Sequence, residues 1–313
     1  MNCFPEQGAS MQGIELAQQW YENILLPEVE KELPESLTTF AAGIAGRGSE
    51  CFGFDDDISR DHDFHPQVTL WMTPEDEQQY GFKLMRIYLK TAGKTASTAA
   101  ESRLGENERG VVLIDDFLLH HLGYAHAPET WQQWLYTPEY AFAETVNGRV
   151  FTDAPGVFSR IRENIRHGIP EDVRLKKISA YAVMMAQCGQ YNYSRCLKHG
   201  EPAAAAVAMS EFIRYTAMLV HQLNFVFTPY YKWMFRSMRE LPLLGELAGE
   251  INKLPDAADK VSIIENICFQ VAQELKAEGL SNSSSDYLES HAFDVMSHIR
   301  NREIRSLHIM EGV

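Results

Sequence analysis

Gly48-Ser49-Glu50-Cys51-Phe52-Gly53-Phe54-Asp55-Asp56-Asp57-Ile58-Ser59-Arg60-Asp61-His62-Asp63 is the stretch on which the fold turns. Alternate residues of an extended backbone share a face, so Asp61 and Asp63 present their carboxylates side by side. At about 4 Å two such charges repel by roughly 1 to 4 kcal/mol in wet to half-buried surroundings, which favours either full solvation or a shared divalent cation. Hard oxygen ligands suit Mg²⁺, whose shell is completed by water and substrate phosphates. Gly48 lets backbone N–H groups close on an anion, and Ser49 adds a hydroxyl donor beside them.

The flanks fit this reading. Phe40-Ala41-Ala42-Gly43-Ile44-Ala45 reads as a strand delivering the Gly-Ser turn, and Val68, Leu70 and Met72 alternate with Gln67, Thr69 and Trp71 as in a half-buried strand. A bare D-x-D, or the run Asp55-Asp56-Asp57, is ordinarily solvated surface. Strand, turn, paired aspartates and strand in succession point instead to a metal–nucleotide site.

The Gly48-Ser49 … Asp61-x-Asp63 arrangement resembles the signature of the polymerase-beta-like nucleotidyltransferase superfamily, which includes aminoglycoside- and lincosamide-modifying enzymes. The stretch 48–63, with Val150-Phe151-Thr152-Asp153, Tyr191-Asn192-Tyr193-Ser194-Arg195-Cys196 and Pro229-Tyr230-Tyr231-Lys232-Trp233, is similar to a bacterial family in it catalogued as a domain of unknown function. The resemblance spans residues 40 to 240. It implies an α+β fold: a small mixed sheet with flanking helices over residues 1–153, then an all-α helical domain over 154–313. It also implies phosphate contacts from Gly48 and Ser49, and metal ligation and catalysis through Asp61 and Asp63. Many members place a third carboxylate on a later strand. Asp115 and Asp116, after the strand-like Val111-Val112-Leu113-Ile114, are the candidates here, and they read equally as the N-cap of a helix from Phe117 onward, the preferred reading.

A length of 313 residues with 45% hydrophobic and 23% charged residues fits an ordinary globular chain of about two domains. The formal charge of -15 argues against DNA or broad nucleic-acid binding and favours a cationic small-molecule acceptor. Five scattered cysteines form no C-x-x-C pair, so neither a disulfide framework nor a zinc site is expected, and Cys51 reads as a packed small residue rather than a nucleophile. With an acidic N-terminus and no apolar segment expected to approach bilayer length, the sequence reads as cytoplasmic and free of membrane.

Along the chain, residues 11 to 32 read as an amphipathic helix ended by Pro34, Thr73-Pro74 as a capped helix start, and 92 to 108 as an exposed loop. Val150-Phe151-Thr152 reads as an edge strand and Asp153-Ala154-Pro155-Gly156 as the domain boundary. Helical stripes follow at Ile178/Tyr181/Ala182/Met185, Met209/Phe212/Ile213/Thr216 and Ile264/Ile267/Cys268/Val271. Arg195 and Lys198 sit beside Tyr191 and Tyr193, and Lys232 and Arg236 follow Tyr230 and Tyr231. These pairs combine an aromatic face for a nucleobase with cations for phosphates, or are surface cations at helix ends. Lys232 gains a phosphate role from the resemblance, and Arg195, Lys198 and Tyr231 stand as candidate nucleotide-binding residues by the same combination of ring and cation. His62 points away from the two carboxylates.

The expected function is Mg²⁺-dependent transfer of a nucleoside monophosphate from a nucleoside triphosphate, ATP being the expected one, to a hydroxyl of a small molecule. The rival is a nucleotide-binding sensor or toxin–antitoxin-type partner that keeps the fold without turnover. A third reading, RNA modification, is disfavoured by the acidic balance.

Overall fold

The structure, a computed structural model, describes residues 13–56, 68–93 and 110–312. Asp61, Asp63, His62 and the expected loop over 94–108 lie outside the described residues. The chain forms two compact units that are not consecutive in sequence: Met1–Ala127 with Glu144–Ile165, and Pro128–Ala143 with Arg166–Val313. The chain thus crosses between units near residues 128, 144 and 166, rather than once near Asp153.

The first unit is built on a four-stranded sheet in the order β3-β2-β1-β4, with β1 Phe40–Ile44, β2 Thr69–Met72, β3 Gly110–Leu113 and β4 Arg149–Asp153. β1 runs antiparallel to β2 and β4, and β2 runs parallel to β3. All five residues of β1 are buried, which is why it reads as an unbroken apolar run. Gly43 marks a register irregularity against β4, where a Cβ would collide with the Arg149 carbonyl oxygen. β2 departs from the half-buried expectation, since Thr69 through Met72 are all buried. Trp71 stacks on Phe158 at 4.1 Å between ring centroids and meets Phe117 edge-on at 5.6 Å, so helices cover its face as well.

The opposite face is covered by the N-terminal helix and by Phe82–Ala92, which contribute Leu25, Val29, Leu84 and Ile87 to one core with Phe40, Ala42, Leu70 and Met72. The N-terminal helix runs Gly13–Trp20, widens into a π turn at Tyr21–Leu25 and continues as Leu26–Glu32. Pro27 explains the widening: it lacks an N–H and crowds the preceding turn, and the Leu26 N–H reaches back five residues to the Tyr21 carbonyl. Thr73 caps the next helix, its hydroxyl accepting from the Asp76 N–H at 3.3 Å with Pro74 in the first turn.

The second unit is helical throughout. At its centre lies Glu171–Met185, where twelve of the fifteen residues are buried, including the predicted Ile178, Tyr181, Ala182 and Met185. Such a helix is walled on all sides. Its neighbours include Pro202–Leu223, Leu288–Ser297, Trp131–Tyr136 and Arg302–Ser306. Pro202–Leu223 is, by length and composition, apolar enough to cross a membrane, although Glu211 and Arg214 interrupt its apolar run. Its Phe212, Thr216, Leu219, Val220 and Leu223 are buried in the unit.

Lys176, on the central helix, donates to the carbonyls of Ile309 at 2.8 Å and Glu311 at 2.6 Å and so holds the C-terminal segment. Burial pushes this ammonium down from 10.5 to about 8. Between those values the unfolded chain binds more protons than the folded one, so stability rises with pH across the window, and the buried Lys177 is shifted in the same direction. The thiols of Cys188 and Cys268, pushed up by burial from their ordinary value of 9, oppose this from about that pH, and the tyrosines Tyr136 and Tyr181, raised by their neighbours and burial, above their ordinary value of 10. Calorimetry is expected to show the melting temperature rising between pH 7.5 and 8.5, a gain on the order of 1 kcal/mol that levels off as the thiols begin to titrate, with a flatter profile for Lys176→Met.

Candidate functional site

The turn after β1 is held from two directions. Asn147 clamps Gly46, its Oδ1 accepting from the Gly46 N–H at 2.9 Å and its Nδ2 donating to the Gly46 carbonyl at 2.6 Å. Asn147 is itself fixed by Arg162, buried in the first unit, whose guanidinium donates to the carbonyls of Thr145, at 3.1 Å, and Asn147. The Gly148 N–H donates to the Cys51 carbonyl at 2.7 Å. Beyond the turn, Cys51 and Phe52 donate back to the carbonyls of Gly48 and Ser49, winding a short 3-10 segment Glu50–Phe52. Cys51 is buried there, as a packed residue. Asp55 accepts from the Gly13 N–H at 2.9 Å, so the acidic run is partly structural.

Neither Gly48 nor Ser49 donates its amide N–H to another described residue. The Glu50 side chain folds over Gly48 so closely that a Cβ there would strike its carboxylate, and Ser49 Oγ donates to Glu50 Oε2 at 3.4 Å. The carboxylate thus lies over the turn without taking either amide. Asn147→Ala removes both restraints on Gly46. It is expected to cost about 1 to 3 kcal/mol in urea unfolding.

One group beside the turn had no sequence signal. Glu144, 4% exposed, takes Arg47 Nε at 3.4 Å and His121 Nδ1 at 3.3 Å on the same Oε2 atom. It lies 97 residues from Arg47, and only the packing of the first unit brings them together.

Asp115 and Asp116 go elsewhere. In the ladder Gly43 pairs with Thr69 and Thr69 with Gly110, whereas Phe40 pairs with Met72 and Met72 with Leu113. The Gly48-Ser49 turn follows Ile44 at one end of the sheet, where the chain re-enters at Val68. Asp115 and Asp116 follow Leu113 at the other end, about 13 Å away along β1 at roughly 3.3 Å per residue. The sheet therefore does not bring them to the turn. The N-cap expectation is also corrected. Leu113 is the cap residue, and the two exposed aspartates lie in the first turn of Ile114–Leu122, where they answer the positive end of the helix. β3 itself carries no carboxylate. Among the described residues, no group of three or more His, Cys, Asp or Glu side chains is disposed to hold a metal ion.

The second unit contains a cavity of about 480 Å³. Glu139, 3% exposed, is held there at both oxygens: Oε1 accepts from Tyr181 Oη at 2.5 Å, and Oε2 from the Thr228 N–H at 3.1 Å and Thr228 Oγ1 at 2.6 Å. Lys177 Nζ stands 3.8 Å from Glu139 Oε1 and donates to the Leu135 carbonyl at 3.2 Å, with both side chains almost wholly buried. Burial lowers the Lys177 ammonium and Glu139 holds it up, burial being the larger influence. Tyr231 lines this cavity. Arg195, Lys198 and Lys232 do not line it. Arg195 lies over the Tyr191 ring at 4.8 Å, Lys232 over Trp233 at 4.9 Å, and Lys198 is exposed at the end of Ser194–Lys198.

Residues 134–234 match the model of a family described as a domain of unknown function (DUF4037). The match holds every lining residue of the cavity except Gly312. No curated protein and no protein of known structure matches the chain.

Proposed function

We propose that the chain is a metal-dependent nucleotidyltransferase moving a nucleoside monophosphate from a nucleoside triphosphate to a hydroxyl of a small molecule. The observation that carries this reading is the pinned turn at Gly48-Ser49, with two unspent amides and a hydroxyl, at the end of the sheet where β2 begins. The segment that leaves at Asp56 and re-enters at Val68 supplies Asp61 and Asp63, the two carboxylates that would hold Mg²⁺. Bound there, the ion would supply Lewis-acid polarisation of the phosphate. The chain's own residues do the rest: Gly48 and Ser49 receive phosphate oxygens, Asn147 keeps their amides aimed, and Glu50 gives up its place over Gly48.

One observation favours a second reading. β3 brings no carboxylate toward the turn, and Asp115 and Asp116 lie at the far end of the sheet, as in a protein that binds nucleotide without turning it over. Pyrophosphate release separates the two readings. The enzyme releases it from a nucleotide panel in the presence of Mg²⁺ and a hydroxyl acceptor. Nucleotide- and Mg²⁺-dependent thermal stabilisation without pyrophosphate identifies the sensor. Absence of both overturns the site.

A further inference from the structure

The cavity of the second unit has a polarity that the nucleotidyl-transfer reading does not use. Its walls are aromatic and aliphatic: Tyr140, Tyr230 and Tyr231 stand in mutual contact, with centroids 5.8 and 4.4 Å apart, and Met218, Met234 and Tyr181 complete the lining. Of the two buried charges, Glu139 is spent, since both oxygens accept short hydrogen bonds. Lys177 is not. An ammonium carries three N–H donors, and among the described residues this one makes a single hydrogen bond, to Leu135, while Glu139 lies beyond hydrogen-bond length. A largely apolar cavity of this volume with a few polar groups has the composition of a small-molecule site, and beside Arg214, which is paired with Glu211, the buried group with donors to spare is the cation Lys177.

We propose that this cavity is a binding site for a small aromatic carboxylate, its ring against Tyr140, Tyr230 and Tyr231 and its carboxylate on Lys177. A carboxylate gives the under-bonded ammonium an acceptor that it otherwise lacks in a medium where unmet donors are costly. A polycationic aminosugar is the poorer ligand: it would meet Lys177 and Arg214 as like charges, Glu139 being already bonded at both oxygens, and apolar walls where it needs partners for its hydroxyls. The local chemistry thus runs against the cationic partner favoured by the overall charge of -15. Net charge reports the whole surface, whereas a pocket is governed first by the groups that line it.

The proposal stands apart from nucleotide chemistry, so its test uses the full chain without nucleotide or Mg²⁺. Titration calorimetry with 2-naphthoate is expected to give a submillimolar Kd, with the matched alcohol 2-naphthalenemethanol at least tenfold weaker. Met218→Trp fills the cavity while leaving Glu139 and Lys177 in place, and is expected to weaken naphthoate binding at least tenfold with its melting temperature retained. Equal affinity for acid and alcohol, unchanged binding to Met218→Trp, or no binding of naphthoate below millimolar concentration each overturns the proposal. The acid–alcohol comparison on the unaltered chain stands even if Met218→Trp does not fold. None of these outcomes bears on pyrophosphate release.

Discussion

Asp63→Asn is expected to lower nucleotidyl transfer by about three orders of magnitude, close to 4 kcal/mol in barrier height, while the melting temperature stays within roughly two degrees of the unaltered chain. The two halves of this result have separate causes. Asparagine keeps the size and one oxygen of the aspartate and removes its charge, so Mg²⁺ would lose one of two anionic ligands and the phosphates part of their compensation. Folding is expected to be untouched by the same change because two carboxylates brought together as proposed would repel without the ion, and relieving that repulsion does not destabilise a fold. Pyrophosphate release measured beside a thermal melt reads both. Transfer at the unaltered rate in a normally folded Asp63→Asn protein contradicts the assignment, and lost transfer in a protein that no longer melts cooperatively does not support it.

Glu139→Leu is expected to be the most damaging single change in the second unit, costing about 3 to 5 kcal/mol. It leaves the Lys177 ammonium buried with one hydrogen bond, and removes the acceptor of Tyr181 and of both donors of Thr228. At roughly 2 to 4 °C per kcal/mol for a unit of this size, the melting temperature falls by about 10 °C or more. The companion variant Glu139→Leu/Lys177→Met removes both charges and is expected to recover part of that loss. A buried pair contributes little net stability over an apolar replacement, whereas a single stranded charge is expensive. Thermal melts of the two singles and the double give the coupling directly. A double variant as unstable as the sum of its singles means that the pair does not interact.

Legibility in the sequence followed the range of the interactions. β1 and β3 were visible as short apolar runs, β4 as an edge strand, and the cap at Thr73 from Pro74, because each depends on near neighbours. The alternation over 67–72 gave the strand but not its surroundings. Whether Trp71 faces water depends on Phe117 and Phe158, far downstream. Asp115 and Asp116 looked like a strand-end pair or a cap because both readings need only a strand followed by a helix. Their position opposite the Gly-Ser turn comes from the direction of β3 in the sheet.

The candidate site divides the same way. Gly48 and Ser49 were legible from composition and spacing, while the groups that fix them, Asn147 and Arg162, carry no local signal about a turn a hundred residues earlier. In the second unit, two consecutive lysines, Lys176 and Lys177, would ordinarily mark a solvated face. Both are buried because the helix that carries them is walled on every side, one meeting the C-terminal carbonyls and the other Glu139. The single domain boundary expected at Asp153 missed the exchange of segments between units, since α-helix Glu139–Val146 passes from one unit to the other without a break in its pattern.

The most direct measurement is diffraction at the manganese absorption edge from crystals soaked with Mn²⁺ and a non-hydrolysable nucleoside triphosphate. The account predicts one anomalous peak bridged by Asp61 and Asp63 at about 2.0 to 2.3 Å, with phosphate oxygens on the Gly48 and Ser49 amides and the Glu50 carboxylate displaced. A nucleotide bound elsewhere, with no metal between those two aspartates, would contradict it.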